Sequence, residues 1–180
     1  VGFEKLVFGK KDVHELLSEF GSPLYVYDEE ILRKRCREMK SLLTYPRFRV
    51  NYSAKANTNV ELLKIVRSEG LDVDGMSPGE MYLEMKAGFP SDRITFVGNN
   101  VPRNELQFAV DHGILVSVDS LSQLKLLGEI NRGGSVCLRI NPGIGAGHHD
   151  KVITGGKKAK FGIAVEDLPL AQEIAARCEM

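Results

Sequence analysis

Five short apolar runs punctuate the chain: residues 48–54, 71–76, 94–97, 114–118 and 135–141. Each predicts a strand, and each of the first four is followed by a stretch of helical period. After the first run, Thr58-x-x-Glu61 reads as a capping box, Val60, Leu63 and Val66 fall on one helical face, and Gly70 ends the helix. After the second, Ser77-Pro78-x-Glu80 supplies an N-cap, a proline at the first helical position and a glutamate at N3, with Gly88 as the stop. The third helix is predicted from Pro102 to His112, before Gly113, and the fourth from Ser120-x-x-Gln123 toward Gly133. A last helix is expected over 165–178, at the chain end.

Strand and helix thus alternate, and near-continuous apolar strands in that order predict a parallel α/β sheet with helices on its faces. Ahead of it, residues 28–43 carry Ile31, Leu32, Cys36, Met39, Leu42 and Leu43 on one side of an amphipathic helix, and residues 24–27 are expected as a short strand. Two architectures fit: an open doubly wound sheet and a closed (β/α)8 barrel. The strand ends favour the barrel. Lys55, Asp74, Gly98-Asn99-Asn100, Asp119, and Arg139 with Asn141 all follow or close predicted strands, where a barrel gathers its chemistry at one mouth. The GxGxxG of a dinucleotide-binding sheet does not follow the first strand. A barrel of this kind takes roughly 250 residues, so a chain of 180 residues with five predicted strands reads as the N-terminal portion of a longer protein, or as a piece that pairs with another chain.

Composition narrows the partners. Lysine and arginine number 24 and aspartate and glutamate 24, so net charge recruits neither nucleic acid nor an anionic membrane, and a small molecule or another protein is expected instead. Cys36, Cys137 and Cys178 are scattered and odd in number, which indicates neither a disulfide framework nor a zinc site and suits a reducing cytoplasm. No apolar run reaches the roughly 20 residues of a membrane span, and the start, VGFEKLVFGK, lacks the layout of a signal peptide. No metal site is expected.

Lys55, in NYSAKANTN, is open to several chemistries: a general base, a phosphate ligand, or an imine-forming nucleophile whose neutral amine is favoured by partial burial. A snorkelling lysine at a strand end is the alternative. Asp74, one strand over, is a candidate partner for its charged form. Arg139 interrupts the apolar SVCLRIN and is either a ligand contact or half of a salt bridge inside the barrel. Asp119 is expected to cap the fourth helix. Gly143-Ile-Gly-Ala-Gly147 matches no phosphate-loop spacing, His148 and His149 are not spaced as a zinc pair, and residues 143–160 read as an exposed flexible loop over the mouth.

Taken together, Tyr52-Ser-Ala-Lys-Ala-Asn57 with Leu62, Leu63, Val66 and Gly70, followed by Asp74-Gly-Met-Ser-Pro-Gly-Glu80, resemble the cofactor-lysine and second strand-end motifs of the fold type III pyridoxal-phosphate decarboxylases, the ornithine, diaminopimelate and arginine group. Leu138-Arg-Ile-Asn-Pro-Gly143, Gly147-His-His, Ile153-Thr-Gly-Gly and Lys160-Phe-Gly-Ile163 are most similar to the diaminopimelate branch, as is Ser22-Pro-Leu-Tyr-Val-Tyr-Asp28. The likeness runs along essentially the whole chain, with Ser53 as a departure where the family more often has proline or alanine.

The resemblance implies a (β/α)8 barrel of the alanine racemase and decarboxylase type, about five of its eight strands present. Residues 28–180 would form part of the pyridoxal-phosphate barrel and residues 1–27 would contribute to a β-domain that lies otherwise downstream. It implies Lys55 as the imine-forming residue, with Asp74 and Arg139 beside the cofactor. The activity implied is decarboxylation of meso-2,6-diaminopimelate to L-lysine, in a cytoplasmic homodimer. Another basic amino acid as substrate, or a non-catalytic relative, are the alternatives. The phosphate loop, the ring-stacking histidine, the partner of the pyridine nitrogen and a cysteine donated across the dimer would all follow residue 180, so the segment alone is expected to be inactive.

Overall fold

The computed structural model describes residues 7–145, 154–156 and 159–180. The chain divides into two compact units, Val1–Phe48 and Arg49–Met180.

In the first unit, β1 (Val7–Phe8) and β2 (Lys11–Asp12) form a small antiparallel hairpin. It leads into α1 (Val13–Phe20), a helix the strand-and-helix reading above did not include. Its signal is present in the sequence, for the Asp12 side chain accepts from the His14 N–H at 2.8 Å as an N-cap, and Val13, Leu16, Leu17 and Phe20 keep helical spacing. The amphipathic helix is α2 (Glu29–Lys40), capped by Asp28, which accepts from the Ile31 N–H at 3.0 Å. Its apolar side is only partly enclosed: Cys36 is buried, whereas Ile31 and Met39 are exposed. Residues 24–27 are not a strand; they run outside any sheet, with Tyr25 86% exposed, because no strand among the described residues supplies the ladder partners an extended segment needs.

The second unit contains five parallel strands, β3 (Asn51–Ser53), β4 (Asp72–Gly75), β5 (Ile94–Phe96), β6 (Leu115–Val118) and β7 (Val136–Leu138), hydrogen-bonded in sequence order. Between them lie α3 (Val60–Ser68), α4 (Pro78–Lys86), α5 (Arg103–Asp111) and α6 (Leu121–Ile130), and α7 (Leu168–Arg177) follows. Each of these helices touches the next, α3 to α4 through α6 to α7. A doubly wound sheet reverses its strand order and places helices on both faces. Sequential order with successive helices side by side is the arrangement of a barrel wall.

The core lies between the helices and one face of the sheet. Val73, Ile94, Phe96, Val116 and Val118 are almost wholly enclosed there and pack against Leu63, Met81, Leu106, Leu124 and Leu127 of the helices. The alternate strand positions make the other face, with Ser53, Asp74, Thr95, Ser117 and Cys137 partly or fully exposed. One face of the strands is therefore polar, which the prediction of near-continuous apolar strands did not contain.

Several predicted boundaries shift. The helix after the first strand is capped by Asn59, which accepts from the Glu61 N–H at 2.9 Å, and not by Thr58. Ser77 caps α4 as predicted, accepting from the Glu80 N–H at 3.2 Å, but Glu80 itself returns to the Met76 N–H at 2.7 Å. Ser120 caps α6 in the same way, so Asp119 is not the cap, and α6 ends at Ile130. The fifth predicted strand breaks at Arg139 into β7 and β8 (Ile140–Asn141). The latter pairs in parallel with β9 (Ile163–Ala164), which continues the alternation by one more strand before a 3₁₀ turn at Val165–Asp167 and α7.

Candidate active site

The first strand stops short of Lys55. Asn51–Ser53 pair with β4, and Ala54–Ala56 then turn as a single 3₁₀ helix that carries Lys55 on its exposed side. Lys55 is exposed among the described residues. Among the described residues its ammonium makes no ion pair or hydrogen bond, while Ala54, next to it, is fully enclosed and anchors the turn. Tyr52 steadies the same turn by donating its hydroxyl to the Asn57 carbonyl at 3.3 Å.

Asp74 is brought alongside by strand register. Asn51, Tyr52 and Ser53 lie opposite Asp72, Val73 and Asp74, so the residue two before Lys55 faces Asp74 directly. The Ser53 hydroxyl donates to Asp74 Oδ2 at 3.1 Å. This contact was missed in the sequence, where Ser53 registered only as a departure from the family pattern; the parallel register is what gives it a partner. At the other end of β4, Asp72 is buried and ion-paired to Arg93 (Nε to Oδ1, 2.8 Å) and to Arg49. Arg49 is held more firmly protonated than usual, chiefly by its hydrogen bond to Asp72.

The remaining strand ends are also tied to one another. Asp119, buried after β6, accepts from the Asn99 side chain, and its backbone N–H donates to Gln123 Oε1 at 3.0 Å. Gln123 reaches the Gly98 carbonyl at 3.3 Å with its amide nitrogen, so α6 is pinned to the end of β5. Arg139 lies between β7 and β8, its guanidinium 4.6 Å from the centroid of the Phe161 ring. No carboxylate meets it among the described residues, so the salt-bridge alternative is not found there and a cation–π contact takes its place.

Asn141 organises the glycine-rich segment. Its Oδ1 accepts from the N–H of Gly143 and of Gly156, both at 3.0 Å, and its Nδ2 donates to the Gly156 carbonyl at 3.0 Å. A side chain at Gly162 would come within 2.8 Å of the Asn141 nitrogen, which explains why β8 and β9 approach so closely at that point. Asp119, Asn141, Lys160, Gly162 and Glu166 border a cavity of about 620 Å³. The expectations placed on Gly147, His148 and His149, and on most of the loop around them, lie outside the described residues.

One buried acid escaped the sequence reading altogether. Glu84, on α4, is completely buried, neither of its oxygens has a hydrogen-bond partner among the described residues, and burial, followed by the charges of Glu80 and Asp74, pushes its carboxyl up to about 8. The signal lay in the helical phase: residue 84 falls three after the buried Met81 and so belongs to the inner stripe.

An exposed amine on the turn after β3, a carboxylate paired to the strand that precedes that turn, and further polar groups follow the ends of successive parallel strands, the region where barrel enzymes carry their chemistry. Residues 29–180 match the family model described as pyridoxal-dependent decarboxylase, pyridoxal binding domain, and the chain belongs to that family. It is 45% identical, over 94% of its length, to diaminopimelate decarboxylase of Methanothermobacter thermautotrophicus and 38% identical, over 87%, to that of Bacillus subtilis. These matches span 40% and 37% of the two relatives. Among solved structures, diaminopimelate decarboxylase from M. jannaschii in co-complex with L-lysine superimposes with a TM-score of 0.78 at 33% identity, over 93% of this chain and 42% of that one. A further crystal structure of diaminopimelate decarboxylase gives a TM-score of 0.81 at 34% identity, over 91% and 38%. Among the described residues no helix is long and apolar enough to cross a membrane, and no cluster of histidine, cysteine, aspartate and glutamate forms a metal site.

Proposed function

We propose that the protein to which this chain contributes decarboxylates meso-2,6-diaminopimelate to L-lysine, with pyridoxal phosphate as its cofactor. The observation that carries the reading is the exposed Lys55 amine on the turn after β3, with Asp74 held beside that turn by the Ser53 pair. An amine that reaches out of a rigid turn fits a cofactor aldehyde, and a neighbouring carboxylate stabilises the positive charge that such a linkage carries. The names of the relatives supply the substrate.

In this reading Lys55 would hold the cofactor through its side-chain amine. Asp74 would lie beside the linkage, and Arg139, its guanidinium 4.6 Å from the Phe161 ring centroid, would present itself to an anionic or carbonyl group. The bound cofactor supplies an electron sink for the pair left behind when carbon dioxide departs. The chain's share is orientation: strand register fixes Asp74 and the 3₁₀ turn fixes Lys55, so neither has to be ordered during the reaction. A proton then replaces the lost carboxyl group on the same carbon.

Residues 1–27 contribute to a second, β-rich domain in this reading, residues 28–180 to the cofactor barrel, and the full-length protein works as a homodimer in the cytoplasm. Borohydride reduction of the full-length protein with its cofactor, followed by peptide mass analysis, is expected to mark Lys55, and Lys55→Ala is expected to abolish the mark. Diaminopimelate is expected to be turned over in preference to ornithine, arginine and carboxynorspermidine. A preference for any of those, or binding of cofactor without release of carbon dioxide, refutes the substrate or the activity respectively. Residues 1–180 alone are expected to release no carbon dioxide.

A further inference from the structure

Glu84 takes no part in the chemistry proposed above, yet it is built into the strand end that carries it. Its side chain is 0% exposed and neither carboxyl oxygen has a hydrogen-bond partner among the described residues. The carboxyl group fills the space that a side chain at residue 75 would need: a Cβ on Gly75 would lie 2.7 Å from Oε1 and 3.1 Å from Oε2. Gly75 directly follows Asp74 on β4, so the Glu84 carboxyl is wedged between α4 and the strand immediately behind Asp74.

The two charges that act on this carboxyl group are both negative. Asp74 on β4 and Glu80 on α4 itself act on Glu84, and both oppose its ionisation. The cations on the other elements packed against α4 are occupied elsewhere or exposed. From α3, Lys64 pairs with Glu61 and Arg67 donates to the Gly88 carbonyl; from α5, Arg103 pairs with Glu129. Lys55, on the turn before α3, is exposed, and β5 offers only Ile94, Thr95 and Phe96. A charged carboxylate in this slot would have neither water nor a donor, so it has to leave the slot or draw water in.

We infer that Glu84 is a positioning residue for the reactive strand end: its carboxyl group, seated against Gly75, holds α4 to β4 and keeps Asp74 opposite Ser53, and it does so only while uncharged. Once ionised it leaves the Gly75 slot, the end of β4 loses its backing, and Asp74 moves off the line set by the Ser53 pair. Where catalysis is concerned the inference rests on the decarboxylase reading; the wedge itself does not.

The test uses the full-length protein with pyridoxal phosphate, comparing the unchanged protein with Glu84→Gln and Glu84→Ala. With a group that titrates at about 8, kcat is expected to fall roughly tenfold between pH 7 and pH 9 with little change in KM. Glu84→Gln, which keeps the shape and cannot ionise, is expected to lose that alkaline step. The urea midpoint of the cofactor-free unchanged protein is expected to decline with rising pH relative to that of Glu84→Gln. If Glu84→Gln fails to fold, Glu84→Ala carries the same comparison and has to lose the same step. Superimposable kcat profiles and parallel urea midpoints overturn the inference. If the unchanged protein neither traps cofactor at Lys55 nor decarboxylates, the functional reading fails instead, and the urea comparison alone decides whether Glu84 is a charge-sensitive wedge.

Discussion

The buried acid on α4 makes the stability of the fold fall as pH rises, against the usual behaviour of a carboxylate. Most paired carboxylates ionise more easily in the folded state and stabilise it above their unfolded value. Glu84 does the reverse. In the unfolded chain it titrates near its ordinary 4.5, and in the folded chain at about 8. Between those values the unfolded state has released the proton while the folded state still holds it, so the slope of unfolding free energy with pH is negative. The contribution is intact below about 4.5, is lost progressively up to about 8, and is constant beyond. At about 1.4 kcal/mol for each pH unit, the whole interval amounts to about 5 kcal/mol, an upper bound because water entering the slot would relieve part of it. The perturbation is Glu84→Gln, which removes the titration and nearly keeps the volume. Urea unfolding of the cofactor-free protein, followed by far-ultraviolet circular dichroism at intervals from pH 5 to 8, gives the difference in stability between the two. That difference is expected to shift in favour of the glutamine form by about 2–3.5 kcal/mol between about pH 5 and pH 8, since the other carboxylates are common to both. A difference that stays constant within about 0.5 kcal/mol would refute the reasoning, because Glu84 would then be ionised in the folded state.

Gly75→Ala places its Cβ against Glu84 and is expected to destabilise by about 1–3 kcal/mol, whereas in a Glu84→Ala background most of that cost disappears; a double-mutant cycle by urea unfolding measures the coupling. Asp72→Ala leaves Arg93 without its ion partner at the base of β4 and is expected to cost about 3–5 kcal/mol in the same assay, while Arg49→Ala, which removes the more exposed partner, costs less than about 1 kcal/mol. Asn141→Ala removes three hydrogen bonds to Gly143 and Gly156, and faster hydrogen exchange at those two amide groups is expected, with little change in α3 to α6.

Much of this was legible in the chain, and what was not shares one physical cause. Strand order, the Ser77 and Ser120 caps and the glycine stops after α3, α4 and α5 are local, so a single stretch of sequence carries them. Lys55 and Asp74 were legible as strand-end residues for the same reason. The Ser53–Asp74 bond, the Asn99–Asp119 bond and the Glu84–Gly75 contact are not local: they exist because parallel register and helix phase bring distant positions together. Residues 24–27 show the converse, an extended pattern without the neighbour that would make it a strand. The break at Arg139 is also set from outside, since the Arg139 N–H donates to the Val118 carbonyl at 2.8 Å and its carbonyl accepts from the Ile163 N–H at 2.7 Å. One residue thus hands the ladder from β6 on one side to β9 on the other. The guanidinium that looked like an intrusion into an apolar strand sits where the strand passes between two partners, with Phe161, two residues before Ile163, beneath it. Arg139 is then positioned by the same backbone exchange that carries the parallel strands on from β6 to β9.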